Sequence, residues 1–405
     1  MNNELKPWAV GMVLGGVLIG AVGCAVAAPT DADRAAVVEG GNAFGLDLYA
    51  RLSGEEGNLF LSPYSLSAAL NMTYAGARGQ TAAQMKEALH IKLAEDRLHP
   101  AFGAVNNDIR SAGKGGDCRL SVANALWAQK GYPFLKSYLA ITKTHYDAGL
   151  TGLDFKTAPG DACKTINAWV EKRTDGKIKD LIQPRLIDEL TRLVLTNAIY
   201  FKGKWATPFK TRYTKQQPFR LPGGKRVDVP MMHQAIKVAY LQTDNLQAVD
   251  LPYAGDRLSM TILLPKEVDG LPALEKALTT QKLASWIAGL QEQTIVVELP
   301  RFKMRKAFRL DESLKSMGMR DAFSRKDADF SGIDGKRWLF ISAVVHQACV
   351  EVNEEGTEAA AGSAVIMKRR GRPTLFRADH PFLFLIRDRT TGSILFIGRV
   401  WEPKL

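Results

Sequence analysis

Helical spacing occupies the front of this 405-residue chain, and strand-like runs fill most of the remainder, with no long Pro/Ser-rich linker between them. Asn42 to Leu52 sets Phe44, Leu48 and Leu52 at helical spacing, Ser65 to Ala75 predicts a second helix, and Gln80 to Leu89 a third, opened by Thr81. Strand-like runs follow at Leu120–Trp127, Leu193–Tyr200, Leu258–Leu264, Ile295–Leu299, Val344–Val352, Leu383–Ile386 and Ile394–Val400. Helices first and strands later predict an α+β fold rather than repeated βαβ units. There is no internal repeat, and 46% apolar with 24% charged residues excludes long disorder or a fibre. One interlaced domain over residues 37–405 is expected, although length alone would allow about two or three.

Residues 8–28 carry no charge and are rich in Val, Leu, Gly and Ala, and they end in Ala25-Val26-Ala27. This reads as an export signal, residues 1–27, cut after Ala27. Ala21-Val22-Gly23-Cys24 offers a second reading, a bacterial lipoprotein box with Cys24 lipidated. An uncleaved anchor is a third. All three place the body outside the cytoplasm, extracellular or periplasmic. The net charge of +12 survives removal of the signal, because Glu4 and Lys6 leave together. Cys118, Cys163 and Cys349 remain, an odd number with no metal-clip or C-x-x-C spacing. Small core residues are expected of them, with a Cys118–Cys163 bridge left open.

No H-E-x-x-H, G-x-S-x-G, Walker or dinucleotide-binding motif is present, and no two of the six histidines are spaced as helix-borne zinc ligands. Neither a catalytic residue nor a metal or cofactor is expected. The segment 353–376 is different in kind. From Thr357 to Met367 it is small or uncharged at nearly every position, and at period two one face carries Thr357, Ala359, Ala361, Ser363, Val365 and Met367. Such a peptide suits two states, an exposed loop and a buried strand, with Gly356 at the place for a hinge. Lys368-Arg369-Arg370-Gly371-Arg372 follows, a basic cluster that a trypsin-like pocket would cut.

With these blocks in view, residues 37–405 are identified as resembling the serpin family of protease inhibitors. The resemblance rests on Asn58-Leu-Phe-Leu-Ser-Pro-Tyr-Ser65, Gly76-Ala-Arg-Gly-Gln-Thr81, Ile166-Asn-Ala-Trp-Val170, Thr174-Asp-Gly-Lys-Ile178, Leu195 to Trp205, Glu354 to Ala361, Asp379-His-Pro-Phe382 and Phe396 to Val400. It implies a large mixed sheet A with further β-sheets, about eight or nine helices and an exposed reactive loop at about 354–376. It also implies a loop hinge at Glu354, Glu355, Gly356, Thr357, Glu358, Ala359, Ala360 and Ala361. Counting seventeen residues from Glu354, or eleven back from Pro381, both reach Arg370, so the implied reactive bond is Arg370–Gly371.

The mechanism implied is that of a suicide substrate. A protease cuts the loop, and residues from about Thr357 insert into an open sheet A with unpaired central groups, between strands that include 193–201 and 344–352. Ser62, Asn197 and His346 would form a gating shutter, with Trp205 at the breach where the loop first inserts. The implied partner is a trypsin-like serine protease held covalently, with an Arg-specific cysteine protease as an alternative target. A bacterial exported member, acting as a monomer without nucleic acid, is the expectation. The competing reading is a non-inhibitory relative that binds polyanions through Lys202, Lys204, Lys210, Arg212, Arg301, Lys303, Arg305 and Lys306.

Overall fold

The computed structural model describes residues 28–54, 56–112, 117–357 and 374–405. The chain opens with helix α1 (Asp31–Leu52), strand β1 (Leu59–Leu61) and helices α2 (Pro63–Tyr74), α3 (Gly79–Ala88) and α4 (Glu95–Ala112). Strand β2 (Cys118–Gln129), helix α5 (Lys136–Tyr146), strand β3 (Leu150–Leu153) and helix α6 (Pro159–Arg173) follow. Strands β4 (Leu193–Lys204), β5 (Lys215–Arg220), β6 (Arg226–Gln242), β7 (Leu246–Pro252) and β8 (Leu258–Pro265) come next. Helices α7 (Leu271–Ala277) and α8 (Thr280–Ala288) precede β9 (Gln291–Pro300) and β10 (Phe302–Arg309). Helices α9 (Asp311–Ser316) and α10 (Ser331–Asp334) lead to β11 (Ile341–Val352), β12 (Gly356–Thr357), β13 (Leu375–Arg377), β14 (Phe382–Asp388) and β15 (Ile394–Val400).

The architecture is α+β, as the order of patterns predicted. Ten α-helices stand among the described residues, more than the expected eight or nine, because α9 and α10 are only 6 and 4 residues long and leave no periodic trace. Order also begins sooner than residue 37. Thr30 caps α1 by accepting from Asp33 N–H, while the Asp33 carboxylate accepts from Thr30 N–H at 3.0 Å, a reciprocal box that starts the helix at Asp31. Helix α4 escaped notice because Pro100 lies inside it.

Among the described residues, nine strands form one sheet in the order β1-β15-β14-β8-β7-β6-β9-β13, with β5 on β6. Leu59 pairs with Arg399 there, which ties the front of the chain to its end. Six strands form the second sheet, β10-β11-β4-β2-β3 with β12 on β4, and this one holds the two strands that the resemblance assigns to sheet A. Strand β4 is buried on both faces, hence a run that is apolar from Leu193 to Phe201 except at Thr196 and Asn197. Leu193, Leu195, Ile199 and Phe201 join the main core, to which α2 contributes Leu66, Leu70 and Met72. Val194, Ala198 and Tyr200 face a second core that Ile166 and Val170 of α6 close.

The cysteines are buried and all three are free, so the Cys118–Cys163 bridge is not made. Cys118 lies in the main core and Cys163 on the buried face of α6, with its thiol directed at the Ile182 carbonyl at 3.3 Å. No helix among the described residues is long and apolar enough to cross a membrane.

Candidate functional site

Strands β4 and β11 run parallel and pair directly from Leu193↔Ile341 to Tyr200↔Cys349. The sheet is therefore closed along most of its length, which corrects the expectation of unpaired central groups between these strands. Their neighbours supply the hydrogen bonds that an inserted strand would otherwise provide, so insertion has to break a made ladder. Only at the top do they part. There β11 ends, the chain turns through Glu354-Glu355 between the bridged Asn353 and Gly356, and β12 comes back antiparallel to β4, with Gly356 opposite Lys204 and Thr357 opposite Gly203.

Packing holds this turn closely. Trp205 donates from its indole N–H to the Asn353 carbonyl at 3.0 Å and from its backbone to the Glu355 carbonyl at 2.9 Å. Its ring stacks on Tyr253 at 4.7 Å, and the Tyr253 hydroxyl lies 3.1 Å from the Thr357 hydroxyl. Gly356 has φ +143°, and a Cβ there would stand 2.1 Å from the Gly203 carbonyl oxygen, so only glycine fits. Glu354 is 4% exposed, and its carboxylate accepts from the Arg301 guanidinium and the Thr214 hydroxyl. Burial would raise its pKa, but these hydrogen bonds outweigh it and hold the carboxyl below its ordinary range.

Below the turn, a polar cluster lies under the β4–β11 pair. Asn197 and His346 are direct partners across it, and both are fully buried. The His346 Nε2 atom accepts from Ser62 N–H at 3.1 Å, which leaves the proton on Nδ1 to be donated to the Asn197 carbonyl oxygen. The Asn197 amide donates to Ser65 Oγ at 2.7 Å and to Asn124 Oδ1 at 2.6 Å. Ser62 caps α2, accepting from Ser65 N–H while donating to the Leu395 carbonyl at 2.6 Å. Every polar group in the cluster thus depends on another, and β2, β4, β11, β15 and α2 are joined through it. Burial pushes the His346 pKa down to about 3, since a proton on Nε2 would face the Ser62 N–H.

The structure brings Ser62, Asn197 and His346 together and sets Trp205 against the hinge. Glu354, Glu355, Gly356 and Thr357 form the turn and β12, whereas Glu358, Ala359, Ala360, Ala361, Arg370, Gly371 and Cys24 lie outside the described residues. Sequence reasoning missed Ser65 and Asn124. The signal for Asn124 was present, a lone amide within an apolar strand run just as Asn197 is. Tyr253, Thr214 and Phe209 had no local signal, and Arg301 was read only as surface charge. The basic clusters are matched in part: Lys204 pairs with Asp117 at 2.8 Å, Lys303 with Glu351 at 3.0 Å and Arg301 with Glu354, while Arg305 donates to the Lys177 carbonyl at 2.8 Å. Arg212 lies over the Tyr213 ring.

A sheet wedged at its top by the first residues of a loop, above a buried polar lock, defines a class of strand-accepting folds. The chain belongs to the serpin family, whose model, Serpin (serine protease inhibitor), matches residues 39–403. The leukocyte elastase inhibitor of Bos taurus is 45% identical over 372 residues, covering 89% of this chain and 97% of that protein. An uncharacterized serpin-like protein of Thermococcus kodakarensis is 41% identical over 373 residues, 91% of this chain and 86% of its own. Uncleaved ovalbumin superposes with a TM-score of 0.83 at 33% identity, covering 91% of this chain and 100% of that one. Native protease nexin-1 with heparin gives 0.84 at 31%, with the same coverage. These relatives lend no support to the expectation of a bacterial exported member. Protease inhibition, with serine proteases as partners rather than catalysis of its own, is the function the family defines.

Proposed function

We propose that this chain is a suicide-substrate inhibitor of trypsin-like, Arg-specific serine proteases, cut between Arg370 and Gly371. The observation that carries this reading is β12: the hinge has already entered the sheet, in a register that the rest of the loop can follow. The protease serine attacks the Arg370 carbonyl carbon, the bond to the Gly371 nitrogen breaks, and Gly371 leaves as a protonated amine, so the loop stays as an acyl ester. Continued from Thr357 opposite Gly203, the register sets Ala359 opposite Phe201, Ala361 opposite Ile199, Ser363 opposite Asn197, Val365 opposite Leu195 and Met367 opposite Leu193. The uncharged face of the loop thereby meets the main core. Glu358 falls opposite Lys202, on the other face.

Each inserted residue replaces one parallel ladder by two antiparallel ones, which favours insertion. Neighbouring strands lie about 4.8 Å apart, so a strand between β4 and β11 doubles their separation and breaks the Asn197–His346 bond. That makes Ser62, Asn197 and His346 a gate, opened only at a cost. The names of the animal relatives specify elastase, whose pocket is too small for arginine. The Arg reading rests instead on residues 368–372 of this chain. An Arg-specific cysteine protease is a second target class, and the polyanion reading loses Lys204, Arg301 and Lys303, which are engaged by carboxylates. Export, with cleavage after Ala27 or lipidation at Cys24, is compatible with a fold whose first cap is Thr30.

Mixing residues 28–405 with trypsin, and separately with leukocyte elastase, tests the proposal on denaturing gels with mass spectrometry of the released peptide. The expected result is a covalent trypsin band near the summed masses and a peptide beginning at Gly371. Clean cleavage with active trypsin left over would overturn inhibition of this protease class. A covalent band with elastase alone would overturn the arginine specificity.

A further inference from the structure

The end of the six-stranded sheet away from the hinge carries a surface that inhibition does not use. Strand β2 leaves the sheet there, Ala128 pairing with Leu193, and its chain continues as Lys130-Gly-Tyr-Pro-Phe-Leu-Lys136, an apolar stretch between two lysines. Beside it lies the loop that enters β11 at Ile341. The two are joined: Leu135 N–H donates to the Ile333 carbonyl at 2.8 Å, and the Tyr132 and Trp338 rings stand 5.5 Å apart. Trp338 is 49% exposed and Leu135 37%, two of the six large apolar side chains that stand out among the described residues. The Lys336 ammonium sits 4.0 Å over the Trp338 ring, and the Arg337 guanidinium ties the preceding turn to this loop by donating to the Asp327 carbonyl at 3.2 Å. Segments 130–137 and 324–338 hold six basic residues against three acidic ones. Of those three, Asp334 is buried, Asp329 is engaged by Ser331 and Arg337, and only Asp327 is exposed. Lys130, Lys136, Arg325, Lys326 and Lys336 are exposed and have no ion-pair partner among the described residues.

An exposed Trp, Tyr and Leu among unpaired cations suit one kind of partner. A polyanion would leave the apolar side chains in water. A second copy docked through the same face would set cation against cation. A lipid surface answers both, because indole and phenol rings favour the headgroup level, and lysine stems lie along apolar surface while their ammonium groups reach anionic headgroups. We propose that this end of the molecule docks on a membrane surface that carries anionic phospholipid, with Trp338, Tyr132 and Leu135 seated at the headgroup level. Docking of this kind lies on the bilayer and needs no spanning helix. Strand β11 runs from Ile341 beside the patch to Val352 at the hinge, about 36 Å at the usual rise per residue, so the hinge stays clear of the lipid. The docking needs neither a protease nor the loop, so it stands or falls apart from the inhibitor reading.

Co-sedimentation with vesicles tests the surface on residues 28–405, so that the apolar segment before them cannot contribute. Binding is expected to vesicles of phosphatidylcholine mixed with phosphatidylserine, and not to phosphatidylcholine alone. Affinity should fall about tenfold in Trp338→Ala, the scale of burying one large apolar side chain, and about fivefold in Lys336→Gln, the scale of one cation at an anionic surface. Both side chains are exposed, so both variants fold. Lys306→Gln, in the basic cluster of β10, should bind as the wild type does. On vesicles, hydrogen exchange should slow at residues 132–138 and 336–340 and stay unchanged at 353–357. No sedimentation, unchanged binding by Trp338→Ala, or an equal loss in Lys306→Gln overturns the site. Protection at the hinge instead overturns the orientation. A dimer in solution that Trp338→Ala dissolves would give the face to a second copy and overturn the lipid reading.

Discussion

Acidification from pH 7 to pH 5 will weaken this fold chiefly through two histidines, and His346 carries about half of the effect. Its Nε2 atom is committed to the Ser62 N–H and its Nδ1–H to Asn197, in a fully buried setting, so the folded protein cannot accommodate the second proton. Burial sets the folded pKa at about 3, against about 6.5 in the unfolded chain. Because the folded value is depressed, the stability is complete above pH 6.5 and is lost as the pH falls from there towards 3. At pH 5 the unfolded state is favoured by 1.5 units of proton binding, about 2 kcal/mol. His99 adds a similar amount, its pKa driven down to about 4 by burial and then by the nearby charges of His145 and Arg78. The assay is the urea midpoint of wild type and His346→Gln, followed by tryptophan fluorescence at pH 7, 6 and 5. Glutamine can accept from Ser62 and donate to Asn197, so the variant should fold and show about half the wild-type loss. An identical pH dependence in the two proteins would refute the assignment of that proton to His346.

Gly356→Ala forces a Cβ onto the Gly203 carbonyl oxygen, so β12 should leave the sheet; on trypsin gels the covalent fraction should fall and the cleaved fraction rise. Asn197→Ala leaves the buried His346 Nδ1–H without its acceptor and takes a donor from Ser65 Oγ and Asn124 Oδ1, which keep each other, and should cost about 1–3 kcal/mol, read as a lower urea midpoint. Glu354→Gln weakens the contacts to Arg301 and Thr214 and should loosen the turn, seen as faster hydrogen exchange at Trp205 and Phe209, whose backbone N–H groups bond to Glu355 and Glu354.

Much of the site was legible because its residue types are conspicuous where they stand. A lone Asn in the apolar run 193–200 and a lone His in 344–352 are costly inside a sheet unless they meet each other, and they do, directly across the β4–β11 pair. The glycine at 356 announces itself by interrupting a charged stretch, and its φ of +143° is the reason no other residue serves. Asn124 carried the same signal, a lone amide in an apolar run, but its partners Ser65 and Asn197 stand 59 and 73 positions away, and no local pattern says which residues it meets.

Local physics alone determined the elements: apolar spacing made α1, α2 and α3, and short apolar runs, rich in Val and Ile in β11 and in Phe and Leu in β14, made the strands β4, β11 and β14. The small uncharged face of residues 357–367 made a segment that can live inside or outside a sheet. Only the tertiary structure decided that β4 and β11 are paired rather than open. It also decided that the hinge is wedged under Trp205 and Tyr253, and that Arg301 serves Glu354 rather than solvent. The reason is the range of the forces involved. Periodicity and capping act within a few residues, whereas a parallel ladder between residues 193–200 and 341–349, or a half-buried ion pair 53 positions apart, exists only once the whole chain has closed around it.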